Sequence, residues 1–199
     1  EETPSLPFLT APGDQLAVIG RLSPEKGHAF LFKALIHVLR ERPALRLFVI
    51  GEGPLLLPLK RLAGALGMSD HVLFTGYQKE MGAILSRIDL VIAPSLQEGC
   101  PLALIEARAC GKRIVASDLG GIREIMEGYG AISWAPPGDS RALGESILKS
   151  LLRPEGETPP PGTLPERFSA EKMVEAYLKV YEALLSISPP IAKRNLLVA

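Results

Sequence analysis

Short apolar runs alternate along this chain with longer segments whose apolar residues recur at helical spacing. The runs lie at residues 16–19, 45–50, 72–74, 90–93, 114–116 and 131–134. Most are followed by glycine or polar residues, which is typical of strands. Because nearly every run is continuously apolar, both faces of each strand should be buried, as in a parallel sheet covered by helices. The alternation therefore predicts a doubly wound α/β fold with a six-stranded parallel sheet and helices on both faces.

The helical patterns complete a simple domain organisation. Helices are predicted at residues 28–42, 55–66, 79–86, 101–111, 122–126, 140–152 and 170–186. We predict a lead-in over residues 1–15 and a single α/β domain over residues 16–152. This domain is followed by a proline-rich strap over 153–169, a C-terminal helix over 170–186 and a mobile tail over 187–199.

Composition excludes several classes of function. The 22 basic and 22 acidic side chains balance, which removes the electrostatic argument for nucleic acid as a partner. No apolar run approaches the ~20 residues that cross a bilayer, and the start lacks the features of a signal peptide. Cys100 and Cys110 have no C-x-x-C spacing, so we expect reduced thiols rather than metal ligands. The chain is expected to be soluble and cytoplasmic.

Glycine-rich and polar segments follow the predicted strands, at the sheet edge where open parallel sheets bind ligands. Arg21 and Lys26 bracket the first of these segments, close enough to point at one anion. A helix beginning at Pro101 offers unpaired N–H groups and the positive end of its dipole. This combination suits a phosphate or diphosphate. An alternative fits the sequence equally well. Arg21 and Lys26 would then be solvated loop charges, or would form ion pairs with Glu25 and Glu52.

Two carboxylates in the segment 95–111 suggest the rest of the ligand. Glu106 stands among small and apolar residues that favour burial, so it needs a partner or a ligand. An ionised carboxylate only accepts hydrogen bonds, so Glu98 and Glu106 could each hold a pair of sugar hydroxyls. The alternatives are a loop acid at the helix dipole for Glu98 and a salt bridge to Arg108 or Arg123 for Glu106.

Several phosphate-binding signatures are missing from the sequence. No G-x-G-x-x-G follows a strand, and there is no G-x-x-x-x-G-K-[ST] loop. No Asp-x-Asp pair is present that could hold a metal ion on a diphosphate. A clamp of cationic side chains would have to take the place of the metal.

Seven ordered motifs over residues 17–152 resemble a known family. They are V-I-G-R-L-S-P-E-K-G, L-F-V-I-G-E-G-P, H-V-L-F-T-G-Y, D-L-V-I-A-P-S, E-G-C-P-L-A-L-I-E-A, G-G-I-R-E-I and P-P-G-D. In this order they resemble the C-terminal, donor-binding half of a retaining family 4 glycosyltransferase. The resemblance implies half of a GT-B fold, which consists of two Rossmann-like domains.

The resemblance also implies roles for individual residues. Arg21 and Lys26 would bind the donor diphosphate and stabilise the leaving nucleotide, and Glu98 completes the implied catalytic set. Glu98 and the backbone of residues 99–102 would hold the transferred sugar, Glu106 the ribose, and residues 76–78 the base. The implied donor-binding residues are Gly76, Tyr77, Gln78, Ser95, Gly99, Cys100, Pro101, Leu102 and Glu106.

Members of this family retain the anomeric configuration and need no metal. The resemblance implies no cofactor apart from a UDP- or GDP-sugar as donor substrate, and a glycan, lipid or other acceptor. Such enzymes require an N-terminal acceptor-binding domain, for which this chain offers no candidate. We therefore expect the isolated chain to bind nucleotide weakly and to transfer nothing. The full-length parent would be the active enzyme, and it is a candidate for peripheral association with a membrane.

Two other interpretations stay open at this point. The chain could be a catalytically silent nucleotide-sugar-binding or scaffold domain. It could also belong to a sugar phosphorylase or epimerase on the same fold. One departure from the family pattern is Cys100, which stands where the family often has Phe. Because the backbone binds the ligand there, we expect only a small effect.

Overall fold

The computed structural model describes residues 13–152, 160 and 164–187 of the chain. Six strands form one parallel sheet. The strands are β1 Gln15–Ile19, β2 Arg46–Ile50, β3 Val72–Gly76, β4 Leu90–Ala93, β5 Arg113–Ser117 and β6 Ile132–Ala135. Their order across the sheet is β3-β2-β1-β4-β5-β6. The predicted parallel six-stranded sheet is confirmed.

Helices connect the strands. They are α1 His28–Glu41, α2 Leu56–Ala65, α3 Met81–Leu85, α4 Leu102–Ala109, α5 Gly120–Met126, α6 Ser140–Leu151 and α7 Ala170–Ile187. Short 3₁₀ helices occur at Pro24–Lys26 and Glu166–Phe168. None of the helices in the described part of the chain is long and apolar enough to cross a membrane.

The strand order reverses at β1. This strand pairs with β2 on one side and with β4 on the other. The chain builds outward from β1 to β3, returns to the other side of β1, and then builds outward from β4 to β6. In a doubly wound sheet such a reversal leaves a crevice at the carboxyl ends of the two central strands.

The core lies on both faces of the sheet. Leu16 and Val18 of β1 face one way and pack in a cluster with buried side chains of α1, α2 and α6. Ala17, between them, is equally buried, and on the neighbouring strands Phe48 and Val91 are also buried. Helix α4 packs against β4 and β5. Burial on both faces explains why the strands are continuously apolar rather than alternating.

The start of α4 was predicted one residue too early. Pro101 has the extended backbone of an N-cap, with φ −74° and ψ 99°, and α4 begins at Leu102. The helix ends at Ala109 rather than at Gly111, whose positive φ of 64° terminates it. Pro101 therefore sets the entry of the chain into α4 without being part of the helix.

The chain divides into two compact units, Glu1–Thr163 and Leu164–Ala199. The first contains the sheet and helices α1–α6. The described part of the second consists of the 3₁₀ helix and α7. In the first turn of α7, Lys172 N donates a hydrogen bond to Ser169 Oγ over 3.2 Å. Residues 1–12 of the predicted lead-in, 153–159 and 161–163 of the strap, and 188–199 of the tail lie outside the described residues.

Candidate functional site

Two adjoining cavities lie at the carboxyl ends of β1 and β4, in the crevice where the strand order reverses. The smaller has a volume of about 210 Å³ and the larger a volume of about 510 Å³. Ile19, Gly20 and Ala103 line both cavities, so the two meet at the end of β1. The shape suits a ligand with two bulky parts joined by a short linker.

Two loops form the wall of the smaller cavity, residues 20–27 between β1 and α1 and residues 94–101 between β4 and α4. The N–H of Leu96 donates to the carbonyl oxygen of Glu25 over 2.7 Å, which joins the loops directly. Gly27 has a φ of +69°, and a Cβ placed there would lie 1.9 Å from the carbonyl oxygen of Pro94. Only glycine allows this approach.

An ion pair crosses the smaller cavity. Lys26 Nζ donates to Glu98 Oε2, and Ser95 Oγ donates to the same oxygen over 3.4 Å. The Lys26 and Glu98 side chains are only 24% and 12% exposed. An ammonium group has three donors and a carboxylate has two oxygens. Lys26 therefore keeps donors, and Glu98 keeps Oε1, for a ligand.

Arg21 and Lys26 do not line the same cavity. Lys26 lines the smaller one, whereas Arg21 is exposed and lines the larger one. Lys26 pairs with Glu98 rather than with Glu25 or Glu52. The Glu25 carboxylate instead accepts from Ser23 Oγ, and this bond is the main cause that lowers the pKa of Glu25. The two cations can contact one ligand only if it crosses the junction at Gly20.

The β4–α4 loop brings five of the predicted residues to the smaller cavity: Ser95, Glu98, Cys100, Pro101 and Leu102. Gly99 lies within this loop without lining the cavity. A Cβ on Gly121 would lie 2.1 Å from the Gly99 carbonyl oxygen, so the start of α5 packs closely behind the loop. The first-turn amides of a helix have no acceptor within it, and they carry the positive end of the dipole. Leu102 and Ala103 line the cavity and can present their amides there, whereas the amide of Leu104 is already bonded to Pro101 O over 3.0 Å.

The larger cavity lies between the ends of β1 and β2 and the segment that follows β3. Tyr77 is 67% exposed at its edge, and Gln78 is fixed by a hydrogen bond from its Nε2 to Thr75 O over 2.8 Å. Gly76 does not line the cavity. Its φ of +70° turns the chain toward Tyr77, and its carbonyl oxygen accepts from Gly51 N over 2.8 Å.

The expectation that Glu106 is buried is wrong. Glu106 is exposed on α4 and lines the larger cavity. The alternative salt bridges are not formed, because Arg123 pairs with Asp118 and the buried Arg108 donates to the carbonyl oxygens of Ile125 and Glu127. The physical reason is helical geometry. The fully buried Ala107 lies one position away on another face of α4, so apolar neighbours in sequence do not bury Glu106.

Three charged or titratable lining residues, Glu52, Lys79 and His28, are missing from the sequence-based set. Glu52 lines the larger cavity, and its position in the glycine-rich exit from β2 was the available signal. His28 lines the smaller cavity and is 2% exposed. Its place directly after Lys26 and Gly27 was the signal there, yet the residue type alone favours packing. Burial, followed by the charge of Lys26, lowers the pKa of His28 from 6.5 to about 4.

Charged side chains of both signs line the cavities. Within residues 13–152 and 164–187, no group of three or more His, Cys, Asp or Glu is placed to hold a metal ion. Arg21 and Lys79 line the larger cavity and Lys26 the smaller. Glu52 and Glu106 also line the larger cavity and Glu98 the smaller, so each cavity contains both cations and acids. The first turn of α4 adds the positive end of a helix dipole.

Comparison with known proteins gives a consistent match. The profile of the family described as glycosyl transferases group 1 matches residues 11–160. A D-inositol 3-phosphate glycosyltransferase of Segniliparus rotundus is 37% identical over 136 residues, which are 63% of this chain and 30% of the relative. The chain spans less than half the length of the curated relatives it matches.

Solved structures share the fold. HepE of Anabaena, in complex with UDP and glucose, has a TM-score of 0.73 and 23% identity, covering 94% of this chain and 53% of that one. The C-terminal domain of LpcC, a group 1 glycosyl transferase of Francisella tularensis, has a TM-score of 0.65 and 22% identity. That match covers 74% of this chain and 80% of the domain. The described sheet is therefore similar to one domain of such proteins.

Proposed function

Because this chain belongs to the glycosyl transferases group 1 family, we propose that it is the donor-binding half of a retaining, metal-independent glycosyltransferase. The donor is a UDP- or GDP-sugar, and the full-length enzyme transfers a hexosyl group to a glycan, lipid or other acceptor. One observation carries the proposal: a larger and a smaller cavity meet at Gly20, with Arg21 lining the larger one and Lys26 the smaller one. A nucleotide sugar has the same layout, with a nucleoside and a sugar joined by a diphosphate.

The nucleoside occupies the larger cavity in this proposal. Tyr77 and Gln78 lie beside the base, at the segment after β3. Glu106 accepts hydrogen bonds from the two ribose hydroxyls, since it is exposed and forms no salt bridge with any residue that the structure describes, which leaves its lone pairs available. HepE, which shares the fold, has been solved with UDP and glucose, and this supports a uridine nucleotide here.

The diphosphate lies at the junction near Gly20. Arg21 approaches it from the larger cavity, and Lys26 and the first turn of α4 approach from the smaller one. During transfer the bond between the anomeric carbon and the diphosphate oxygen breaks, and a bond to the acceptor oxygen forms. The acceptor proton leaves with the diphosphate. Negative charge grows on the departing diphosphate, and these fixed positive groups stabilise it.

The transferred sugar occupies the smaller cavity. The Oε1 atom of Glu98 accepts from sugar hydroxyls, while Oε2 stays bonded to Lys26 and Ser95. In other enzymes a metal ion neutralises the charge of the diphosphate. Here the cationic groups do so, and no metal or further cofactor is required. An N-terminal acceptor-binding domain closes the crevice, and the enzyme works in the cytoplasm, with peripheral contact to a membrane where the acceptor is a lipid.

Calorimetric titration of the 199-residue chain with UDP, GDP and ADP tests the proposal. We expect saturable binding of UDP or GDP that is lost in the double variant Arg21→Ala, Lys26→Ala. The matched control is Arg141→Ala, Lys149→Ala, which removes the same charge from α6, away from both cavities. Binding that survives the first double variant would refute the diphosphate assignment.

A further inference from the structure

His28 is a polar side chain of the smaller cavity that the proposed mechanism leaves unused. It is the first residue of α1, is 2% exposed, and lines the cavity together with Lys26 and Glu98. Neither of its ring nitrogens has a hydrogen-bond partner among the described residues. A buried polar group without a partner is unfavourable, so each one in a native protein calls for an explanation, and a bound ligand that supplies the partner is one.

The other polar side chains around the cavity are already engaged. Lys26, Ser95 and Glu98 are joined through one carboxylate oxygen. The charges of Lys26 and Glu98 cancel, so the side chains of this cavity carry no net charge at neutral pH. The remaining lining is dominated by apolar residues at the ends of β1 and β4. A neutral, hydroxyl-bearing group fits this lining better than a second phosphate does.

The imidazole of His28 matches a hydroxyl in its hydrogen bonding. Because burial and the Lys26 charge lower the pKa of His28 to about 4, the ring is neutral at pH 7. A neutral imidazole has one N–H donor and one acceptor nitrogen. A sugar hydroxyl also donates one hydrogen bond and accepts others, whereas a phosphate oxygen at neutral pH mainly accepts.

We infer that His28 forms a hydrogen bond from the floor of the smaller cavity to a hydroxyl of the transferred sugar, and so helps to select the sugar. This inference rests on the proposed function, since it assumes that the sugar half of the donor enters this cavity. Because the ring is buried, only a group that has entered the smaller cavity can contact it. Glu98 and His28 then contact the sugar with complementary groups, one an acceptor and the other a donor and acceptor.

Paired titrations of the full 199-residue chain test the inference. The probes are UDP with UDP-glucose and GDP with GDP-mannose, and the pair that binds the wild-type chain is used. His28→Phe should leave the affinity for the nucleoside diphosphate unchanged and weaken the nucleotide sugar about tenfold, the size of one lost hydrogen bond. His28→Gln, which keeps a donor, should recover part of the loss. His37→Phe, at an exposed position of α1, should change neither affinity.

A second readout does not depend on a substitution in the core. In the ¹⁵N-histidine-labelled chain, the ring nitrogens of His28 should shift when the nucleotide sugar binds and shift much less with the nucleoside diphosphate. Equal losses of both ligands in His28→Phe, or no loss together with unchanged ring signals, would overturn the inference alone. If no nucleotide binds the wild-type chain, the proposed function fails and the inference fails with it.

Discussion

Lys26 and Glu98 show how a partner changes the role of a charged residue. Each was predicted to contact the donor, and the structure joins them across 72 positions of sequence. Their pairing means that Lys26 meets an anionic ligand as half of a neutral pair. The affinity for phosphate should therefore depend on Glu98 as well as on the cation.

Glu98→Gln should tighten the binding of a nucleoside diphosphate several-fold and reduce the added affinity that the sugar provides. The carboxylate attenuates the charge of Lys26 and repels the diphosphate, and a neutral amide does neither. Calorimetry with UDP and UDP-glucose, or with GDP and GDP-mannose, measures both effects. Glu145→Gln on α6 is the control, and weaker binding of the diphosphate by Glu98→Gln would contradict the expectation.

Glu106→Gln tests the ribose assignment separately. We expect about tenfold weaker binding of the nucleoside diphosphate, because hydrogen bonds to a charged acceptor are lost. Binding of inorganic pyrophosphate, which has no ribose, should stay the same. Since Glu106 is exposed, the thermal midpoint should not change. Glu41→Gln, at the end of α1, serves as control, and equal losses for both ligands would exclude the ribose role.

The buried His28 should make stability depend on pH. Its pKa is about 4 in the folded chain, against 6.5 when solvated. Between these values the unfolded chain binds a proton that the folded chain does not, so the free energy of unfolding falls as the pH falls from 6.5 to 4. The loss reaches about 3 kcal/mol by pH 4 and is absent above pH 6.5.

Urea unfolding of the wild-type chain, His28→Phe and His37→Phe at pH 7, 6, 5 and 4 measures this dependence. Carboxylates also titrate in the lower part of the range, and comparison between variants removes their contribution. His28→Phe should have a clearly shallower slope, and His37→Phe should follow the wild-type chain. Identical slopes in all chains would show that His28 does not stay neutral on folding.

At the scale of elements, the strands were predictable because their burial on both faces leaves a direct signal in the sequence. Residues 90–93 were predicted as a strand, and β4 occupies the same positions. The order of the strands has no such local signal, and the doubly wound arrangement followed from the alternation with helices. The crevice at the carboxyl ends of β1 and β4 was predictable from that arrangement.

The details of the site were less predictable because they depend on contacts between distant segments. The Lys26–Glu98 pair exists because the first and fourth strand–helix loops meet at Leu96 and Glu25. Glu106 was misjudged because composition does not reveal which face of α4 is covered. Even Leu102, at the start of α4, is 68% exposed. His28, directly after the same loop, is 2% exposed, and its residue type alone did not reveal that burial.

Gly27 holds these two loops together, and Gly27→Ala should separate them. Alanine there would have an unfavourable φ of +69° and a Cβ 1.9 Å from Pro94 O. Gly67→Ala is a close control, with a φ of +68° and no atom within 4 Å. We expect Gly27→Ala to lose about 1–3 kcal/mol more stability than Gly67→Ala, through the overlap alone. Urea unfolding measures the difference, and equal losses would show that the loops can move apart freely.

At the scale of the whole molecule, the core and the site belong to the same unit. The buried apolar side chains of the described residues lie between Leu16 and Ile147. Both cavities are lined by residues 18–106. The family profile, which matches residues 11–160, covers the same part of the chain. Donor binding should therefore require only the first compact unit.

A chain that ends at Thr163 should bind the nucleoside diphosphate with the same affinity as the 199-residue chain, within about twofold. All of the side chains assigned to the donor remain in it, and so do the sheet and helices α1–α6. Calorimetry on both chains measures the affinity, and a single urea transition in each establishes that the shorter chain folds as one cooperative unit. A folded but non-binding shorter chain would place part of the donor site in Leu164–Ala199 and would require the nucleotide to extend beyond the two cavities.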